Sequence, residues 1–598
     1  MKAHRSTLKF NLFSLILCLI VFTYIVLRAV WVEPVHDELA TLFHYIDYNT
    51  IWGKGTVLDA NNHLLNSFLG KVCYSVFGDH IWAIRLPNVF SFLLFFYAAY
   101  RLAGLLRYEY TKYFFLIGMT CIPYVLDYFA YCRGYGMSMA FMLMAVCFFL
   151  EINKEYRSGK AIMMAVLLVL GIYANLNILI TAVLMMGYIG IKLLIEARKY
   201  DDWKPFYYYV VLCIMVVFSL YFAAVHAYSL KMNGALYYGS KDGLWLTTGA
   251  TLSQFVLMTT SIIVKYALIA VIALLILHVI YAWISKGSFA VFQAPATLLI
   301  GLFIGNLVAI ELMRWLLDTN YPEDRVGMQL IFLLICAVVF TLNEYLLISW
   351  ISVVFVALPF VAHTYFNFRT SAFSPDDRME KEDFYLFRKE MGRTKSVAFY
   401  LTQQLTYAYH VRKNNPLNFS VPNLFDRHLS FNEEIVSSKI DGVNDAKSEG
   451  YTLLRYNTRT WQTIFRRKKQ YAYQEMKAAG YERKEPLTTA DVFYNLIDTS
   501  WTQITGDHVK IIIECKVNTP ELSRETLVLV VDQTDAKGNN RYHGFNLNWA
   551  AGKNREYTFR KIVEFSPGEL KDLKIYLYNP NAFSYTILKE KVIFKVAE

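Results

Sequence analysis

Two adjacent carboxylates, Asp37 and Glu38, follow the first strongly hydrophobic stretch of the chain, which ends near Val32. A carboxylate at the edge of a bilayer is costly to leave dry or unpaired, so this position requires water, a partner or a substrate. One of these groups could act as a general base toward a hydroxyl. The pair could equally begin an ordinary solvated loop, and the residues alone leave both interpretations open.

Further polar side chains follow in the same stretch, before the chain becomes hydrophobic again near Pro87. These side chains are His36, Asp59, Asn62 and His63. Together they could close over a cavity at the membrane surface that admits a small molecule. Taken singly, the two histidines are more typical of supporting or structural positions than of metal ligands.

Several arginines stand near the predicted outer ends of hydrophobic stretches, namely Arg85, Arg133, Arg314 and Arg325. Any one of them could simply extend its head group to the lipid surface. Guanidinium groups also grip phosphate through two parallel hydrogen bonds, which would suit a phosphate attached to a lipid. Arg325 closes a polar segment with Tyr321, Glu323 and Asp324, and the alternative for this segment is a tight turn with local charge pairing.

The elements that must position these residues are predicted membrane-spanning helices. Of the 598 residues, 56% are hydrophobic, and the excess lies before about His363. Runs long enough to cross a bilayer predict eleven spans, with an uncertainty of one or two. They lie near residues 10–32, 87–106, 113–126, 135–150, 161–175, 178–195, 206–228, 260–283, 294–315, 326–342 and 345–363.

Loop charges predict the orientation of these spans. With the N-terminus in the cytoplasm, the cytoplasmic loops are short and rich in Lys and Arg, as the positive-inside rule requires. The basic residues of these loops are Arg101, Arg107, Lys112, Lys154, Arg157, Lys160, Arg198, Lys199, Lys204 and Lys286. An odd number of spans then places residues 364–598 outside the cytoplasm, on the same side as Asp37.

Composition and periodicity predict three regions: a membrane domain over 1–363 with its first outer loop at 33–86, an α/β region over 364–502, and a β-sandwich of jelly-roll type over 503–598. The α/β region has predicted helices at 378–390, 432–438 and 461–480, and predicted strands at 396–401 and 451–455. The last region has predicted strands at 509–517, 526–531, 542–547, 557–564, 574–578 and 587–596.

Several classes of function have no support in the sequence. The net charge of +11 is explained by basic cytoplasmic loops, so nucleic-acid binding is not expected. The eight cysteines form no CxxC motif, which argues against a zinc site or a disulfide framework. No glycine-rich phosphate loop and no hydrolase motif stands in a supporting context. A transferase of this kind should therefore receive its activated donor within the membrane.

One family is similar in the order of its motifs. The acidic pair Asp37-Glu38, the Asn62-His63 pair and the run from Trp82 to Pro87 that opens the next span resemble the GT-C glycosyltransferases. The nearest group contains protein O-mannosyltransferases and bacterial aminoarabinose transferases that act on lipid A. The tail is similar to soluble modules on related enzymes of Bacteroidota. Family members often have Pro after the Asn-His pair, whereas this chain has Leu64.

The resemblance implies a polyprenyl-phosphate-linked sugar donor and a protein, lipid or glycan acceptor outside the cytoplasm, with the chain in the bacterial inner membrane. It assigns the catalytic carboxylate to Asp37, with Glu38 as its partner, and a donor arginine to Arg85. Arg133 and Arg325 are further candidates for the donor phosphate. The displacement would invert the anomeric centre. No cofactor is required, although a divalent metal remains possible.

Two other classes of function remain open on the residues. A transporter or lipid flippase would place its working charges near the middle of the membrane, often in paired repeats, which this sequence does not display. A non-catalytic envelope assembly or sugar-binding protein would instead act through the C-terminal β-region. Loss of activity on replacement of a single carboxylate would separate an enzyme from both.

Overall fold

The computed structural model describes residues 2–48, 50–52, 57–236, 238–257, 260–286, 289–361, 366–371, 378–391, 395–400, 403–425, 434–437, 450–477, 479–500, 507–519 and 527–597. The chain divides into two compact units. We call Met1–Val32 with Ile51–Ala372 the membrane unit, and Glu33–Thr50 with Phe373–Glu598 the C-terminal unit. The predicted outer loop at 33–86 is thus shared between the two.

The described part of the membrane unit is helical. Its helices are α1 (Lys2–Trp31), α3 (Leu64–Phe77), α4 (Ile81–Gly104), α5 (Glu109–Thr120), α6 (Pro123–Ala130), α7 (Gly134–Lys154), α8 (Ser158–Ala174), α9 (Ile178–Tyr200), α10 (Lys204–Ser219), α11 (Tyr221–Met232), α12 (Leu244–Leu257), α13 (Ile262–Lys286), α14 (Pro295–Leu317), α15 (Met328–Leu342), α16 (Leu346–Ser349) and α17 (Val354–Val361). Short 3-10 turns occur at Phe289–Gln293, Asp324–Gly327 and Trp350–Val353.

Seven of the described helices are long and apolar enough to cross a membrane, and two bent helix pairs raise the number to nine if each pair counts as one span. The chain is therefore an integral membrane protein. The predicted spans all coincide with helices, but those at 161–175 and 345–363 correspond to shorter helices, so the count of eleven is not confirmed. The α5–α6 pair bends by 56° just before Pro123, whose ring lacks the N–H that a continuing helix needs.

The core of the membrane unit lies around α4, α7 and α15. Helix α7 packs against α4 and α8, and α15 packs against α14. Most residues of α7 and α15 are buried, whereas α1 and α13 leave most of their apolar side chains exposed. Helices that are apolar all round but exposed in this way are expected to face lipid.

The C-terminal unit joins α2 (His36–Thr41) to the C-terminal segment of the chain. A π-helical turn at Leu42–Ile46 continues α2, and the further helices are α18 (Lys381–Met391), α19 (Gln404–Asn414) and α20 (Leu547–Ala551). The strands are β1 (Val397–Tyr400), β2 (Asn418–Val421), β3 (Asn423–Phe425), β4 (Glu434–Ser437), β5 (Tyr451–Tyr456), β6 (Thr463–Arg467), β7 (Gln474–Glu475), β8 (Tyr481–Arg483), β9 (Leu487–Thr489), β10 (Phe493–Ser500), β11 (His508–Asn518), β12 (Val528–Asp535), β13 (Asn540–Asn546), β14 (Glu556–Phe565), β15 (Leu570–Tyr578) and β16 (Tyr585–Ala597).

These strands form three sheets among the described residues. A mixed sheet has the order β3-β1-β4-β6-β5, an antiparallel sheet has the order β10-β15-β12-β13, and a larger sheet has the order β2-β14-β11-β16-β7, with β8 and β9 also on β16. Strand β11 pairs along its whole length with β14 and β16, and its side chains are buried on both faces. Strands β2 and β7 to β10 precede residue 503 yet pair with strands that follow it. The jelly-roll type of sandwich stays a prediction.

The strand predictions for the last hundred residues are confirmed in position, as are the predicted helix at 378–390 and the strands at 396–401 and 451–455. The predicted helices at 432–438 and 461–480 are wrong, because their described residues include β4, β6 and β7 instead. In β4 the pair Ile435 and Val436 is β-branched, and β6 opens with Thr463 and Ile464. Such residues lose side-chain freedom in a helix and fit a pleated sheet.

Candidate functional site

The carboxylate of Glu38 caps its own helix. Val35 precedes α2 in an extended conformation, and its N–H donates to Oε2 of Glu38 over 3.3 Å. The N–H groups of the first helical turn have no partner within the helix, so a side-chain acceptor at this place stabilises the turn. Glu38 is fully buried. Its position therefore gives it a structural function that the sequence prediction did not include.

Asp37 has a different environment from its neighbour. It lies in the first turn of α2 and is half-buried, and its backbone carbonyl accepts a hydrogen bond from Oγ1 of Thr41. Side chains at successive helical positions point in different directions around α2. The role of Glu38 as the partner of Asp37 stays a prediction. His36, at the start of the same turn, is also half-buried. The general-base role of Asp37 stays a prediction.

The second half of the predicted loop belongs to the membrane unit, and its polar residues bind the backbone. Asp59 is half-buried and accepts the N–H of Asn61 over 2.8 Å. Asn62 is buried, donates to the carbonyl of Ile51 over 2.8 Å and accepts from the hydroxyl of Ser67 over 2.9 Å. Such contacts are typical of side chains that shape a turn, and the predicted roles of Asp59 and Asn62 near the acceptor stay predictions.

Arg85 is buried at the C-terminal end of α1. Its Nη1 donates to the carbonyls of Ala29 and Val32 over 2.9 and 2.8 Å, and its guanidinium lies 5.3 Å from the ring centre of Tyr131. The last carbonyls of a helix lack intrahelical partners and carry partial negative charge, so a cation there is well placed. These bonds give Arg85 a structural role, and its predicted contact with a donor phosphate stays a prediction.

Three of the remaining predicted residues of the membrane unit, Arg133, Asp324 and Arg325, meet in one group of side chains, which we call the arginine–tyrosine cluster. Its members are Tyr124, Tyr128, Arg133, Tyr135, Tyr238, Asp324 and Arg325. The guanidinium of Arg133 lies 5.5 Å from the ring centre of Tyr135, and the rings of Tyr135 and Tyr128 are 5.2 Å apart. The hydroxyl of Tyr128 is within electrostatic reach of both Arg133 and Arg325.

Asp324 and Arg325 form the other side of the cluster. Arg325 lies 4.6 Å from the ring centre of Tyr238, donates to its hydroxyl over 3.3 Å and pairs with Asp324 over 3.6 Å. Asp324 also accepts hydrogen bonds from the hydroxyls of Tyr124 and Tyr238. Its backbone has a φ of 52°, a left-handed conformation that Asp tolerates better than most residues.

The cluster gathers residues that are far apart in sequence. Arg133 precedes α7, Asp324 and Arg325 precede α15, and Tyr238 precedes α12. His63 joins them through its ring, which meets that of Tyr135 edge-on at 4.7 Å. Two guanidinium groups, one carboxylate and several phenols can bind an anion and orient its oxygens through charge-assisted hydrogen bonds.

Other predicted residues lie in supporting positions. Tyr321 is buried and donates to Glu311 over 3.2 Å, whereas Glu323 is exposed. Arg314 pairs with Asp318 one helical turn later. The predicted roles of Tyr321 and Glu323 near the acceptor stay predictions.

Sequence reasoning missed a buried ion pair in the membrane unit. Nη2 of Arg28 lies 2.6 Å from Oδ1 of Asp127, and the two side chains are 0% and 4% exposed. Arg28 also donates to the carbonyl of Thr370 over 2.9 Å. The available signal was the isolation of each charge within an apolar run, because a charge so placed requires a partner.

Within the described residues, no group of three or more His, Cys, Asp or Glu side chains is arranged to hold a metal ion.

No protein-family model matches the chain, and no curated protein matches it. Among solved structures, ArnT from Cupriavidus metallidurans bound to undecaprenyl phosphate has 11% identity and a TM-score of 0.36, covering 76% of this chain and 97% of its own. The apo state of the same protein has 10% identity and a TM-score of 0.34, covering 77% and 98%. Arabinosyltransferase EmbB from Mycobacterium smegmatis has 10% identity and a TM-score of 0.34, covering 97% and 64%. Likenesses with TM-scores this low support no conclusion on fold or activity.

Proposed function

We propose that this chain is a membrane glycosyltransferase of the GT-C type, which moves a sugar from a polyprenyl-phosphate-linked donor to a protein, lipid or glycan acceptor outside the cytoplasm. The observation that carries the proposal is the arginine–tyrosine cluster. Two arginines that are separated by almost two hundred residues are connected through the neighbouring rings of Tyr135, Tyr128 and Tyr124 and through Asp324, within a unit of apolar helices. The ordered motifs from Asp37 to Pro87 support the same family.

The cluster suits the phosphate of a lipid-linked donor. A polyprenyl tail has to lie among lipid or apolar side chains, which keeps its phosphate near the depth of the head groups. As the glycosidic bond breaks, negative charge grows on the departing phosphate, and fixed guanidinium groups stabilise that charge. Asp324 holds Arg325 in place through its 3.6 Å pairing, and phenolic hydroxyls can donate to the remaining phosphate oxygens.

The acceptor half of the reaction is assigned to Asp37. An acceptor hydroxyl is a weak nucleophile at neutral pH, and a carboxylate within hydrogen-bond reach raises its reactivity by about 10²–10⁴-fold. Glu38 supports Asp37 indirectly, because it caps the turn that carries both residues. Direct attack by the acceptor would invert the anomeric centre. The chain would lie in the bacterial inner membrane with its N-terminus in the cytoplasm.

The test compares a deletion strain with the same strain carrying wild type, Asp37→Asn or Glu38→Gln. Loss of transfer should leave the lipid-linked sugar in lipid extracts and remove one sugar mass from an envelope acceptor, both measured by mass spectrometry. Asp37→Asn should behave like the deletion, with transfer by purified protein reduced at least about 10²-fold. Glu38→Gln keeps an acceptor for the Val35 N–H and should retain much more activity.

Purified protein in nanodiscs separates the competing functions. Donor lipid from the deletion strain should lose its sugar to acceptor material only when wild-type protein is added. Movement of intact donor across a bilayer without release of polyprenyl phosphate would instead identify a flippase. Full transfer by Asp37→Asn would remove Asp37 from the proposed role.

A further inference from the structure

The helix that carries Asp37 is tied to the C-terminal segment by a two-point ion pair. Nη1 of Arg412 lies 2.6 Å from Oδ2 of Asp47, and Nη2 lies 3.2 Å from Oδ1. The side chains are only 5% and 16% exposed. Two parallel charge-assisted bonds fix both direction and distance, and an enclosed pair is screened little by salt. Arg412 belongs to α19, which packs against α2.

Aromatic contacts reinforce this ion pair. Phe43 is fully buried and stacks on Trp549 of α20 at 5.7 Å and 11°, and the guanidinium of Arg412 lies 5.8 Å from the Phe43 ring centre. His44 meets the same indole edge-on at 5.3 Å. Tyr48 hydrogen-bonds the side chain of Asn546. Stacked aromatic pairs add stability beyond that of the area they bury.

Asp37, Phe43 and His44 lie on one helical rod, residues 36–46, and Asp47 follows it directly. Helix α2 passes without interruption into the π-helical turn at Leu42–Ile46, and the N–H of Asp47 closes that turn on the carbonyl of Leu42. A π turn is rare and persists where its surroundings determine it. At about 1.5 Å per residue the rod is roughly 16 Å long, so the direction fixed at Asp47 also sets the direction at Asp37.

An exposed ion pair lies just before the other end of the rod. Glu33 precedes α2 and lies 3.9 Å from Nζ of Lys381, whose side chain is 62% exposed. Exposed pairs of this kind contribute little to stability.

We propose that Arg412 and Trp549 are positioning residues. They fix the orientation of the rod (residues 36–46) and thereby hold the carboxylate of Asp37 in position. The C-terminal unit is then part of the catalytic apparatus rather than an appended module. The positioning role rests on the proposed function, because it assumes that Asp37 is the base. The attachment of the rod does not depend on that assumption.

The first measurement is hydrogen exchange of peptides covering 33–50 in the full-length protein in nanodiscs. Arg412→Ala and Trp549→Leu should each raise exchange in this segment about tenfold, while Arg412→Lys should raise it less because it keeps the charge. Arg560→Ala is the matched control, since Arg560 forms an ion pair with Glu514 between β14 and β11 of the same unit. This control should leave segment 33–50 unchanged.

The second measurement is the rate of sugar transfer by the same variants as a function of donor concentration and of pH. A general base held in the wrong orientation lowers kcat without lowering the affinity for the donor. Arg412→Ala and Trp549→Leu should therefore reduce kcat about 10²-fold with an unchanged donor KM. Arg412→Lys should recover part of the loss. A purely structural role would reduce the amount of folded protein while leaving kcat per folded molecule intact.

Each outcome decides a separate statement. Unchanged exchange in segment 33–50 for both Arg412→Ala and Trp549→Leu overturns the attachment. Raised exchange with normal kcat overturns the positioning role. If wild type transfers no sugar, the proposed function and the positioning role both fail, while the exchange data still decide the attachment.

Discussion

The two halves of segment 33–85 differ in the partners of their polar side chains. The half at Glu33–Thr50 belongs to the C-terminal unit, and the half from Ile51 to Arg85 belongs to the membrane unit. In the second half, Asn62 and Arg85 are buried and bind main-chain carbonyls. In the first half, Asp37 is half-buried on a rod that other residues hold. Polar residues that are close in sequence can therefore belong to different units and obtain different kinds of partner.

The largest effect that would sharpen this contrast is expected at Arg85. Replacement by Ala leaves two carbonyls at the end of α1 without their hydrogen-bond donor in a low-dielectric setting. The unfolding free energy of the membrane unit should therefore fall by about 3 kcal/mol or more. Arg85→Lys should lose less, because its ammonium can still donate. Thermal unfolding and the yield of folded protein in detergent measure this effect. Normal stability of Arg85→Ala, together with a raised KM for the donor, would instead support the contact with the donor phosphate that the resemblance implies.

A smaller effect is expected at Asn62. Asn62→Ala removes one donor and one acceptor from buried partners and should lower the unfolding free energy by about 2 kcal/mol. Asp59→Ala is its control, since Asp59 is half-buried and closes only a local turn. It should lower the unfolding free energy by about 0.5 kcal/mol. Both should keep donor and acceptor KM values once corrected for folded protein. A selective rise in acceptor KM for Asn62→Ala would assign it to a substrate instead.

The smallest expected effect is a pH dependence of stability. It should appear in the half that belongs to the C-terminal unit and not in the half that belongs to the membrane unit. Lys561 is buried in β14, donates to the carbonyl of Pro422 over 2.6 Å, and burial lowers its pKa to about 7. Between pH 7 and its ordinary pKa of 10.5 the unfolded chain binds more protons, so the C-terminal unit gains stability as pH rises. Below pH 7 the cost of the buried charge is fully present.

Hydrogen exchange at pH 6 and pH 9 measures this dependence. Segment 33–50 should exchange more slowly at pH 9, after correction for the intrinsic rate, and Lys561→Met should remove most of that difference. Segment 57–85 should show no such response. An equal response in both segments would contradict their division between units.

Local patterns in the sequence determined the long apolar helices and the strands of the last hundred residues, whereas the shorter helices α3 and α12 were not predicted. Runs of apolar residues and alternation between turn formers depend only on neighbours along the chain, and those elements were predicted where they occur. The prediction failed at 432–438 and 461–480, where polar residues gave an ambiguous period and pairing within a sheet decided the outcome.

Partner choice was decided by the tertiary structure alone. Nothing near Arg85 in sequence indicates that it binds carbonyls over fifty residues earlier, and Asp47 and Arg412 are separated by 365 positions. A guanidinium group satisfies helix carbonyls, carboxylates and phosphates with the same hydrogen bonds. Residue type and spacing therefore identify which groups must find a partner in an apolar setting, whereas the packing of distant helices and strands determines which partner each one obtains.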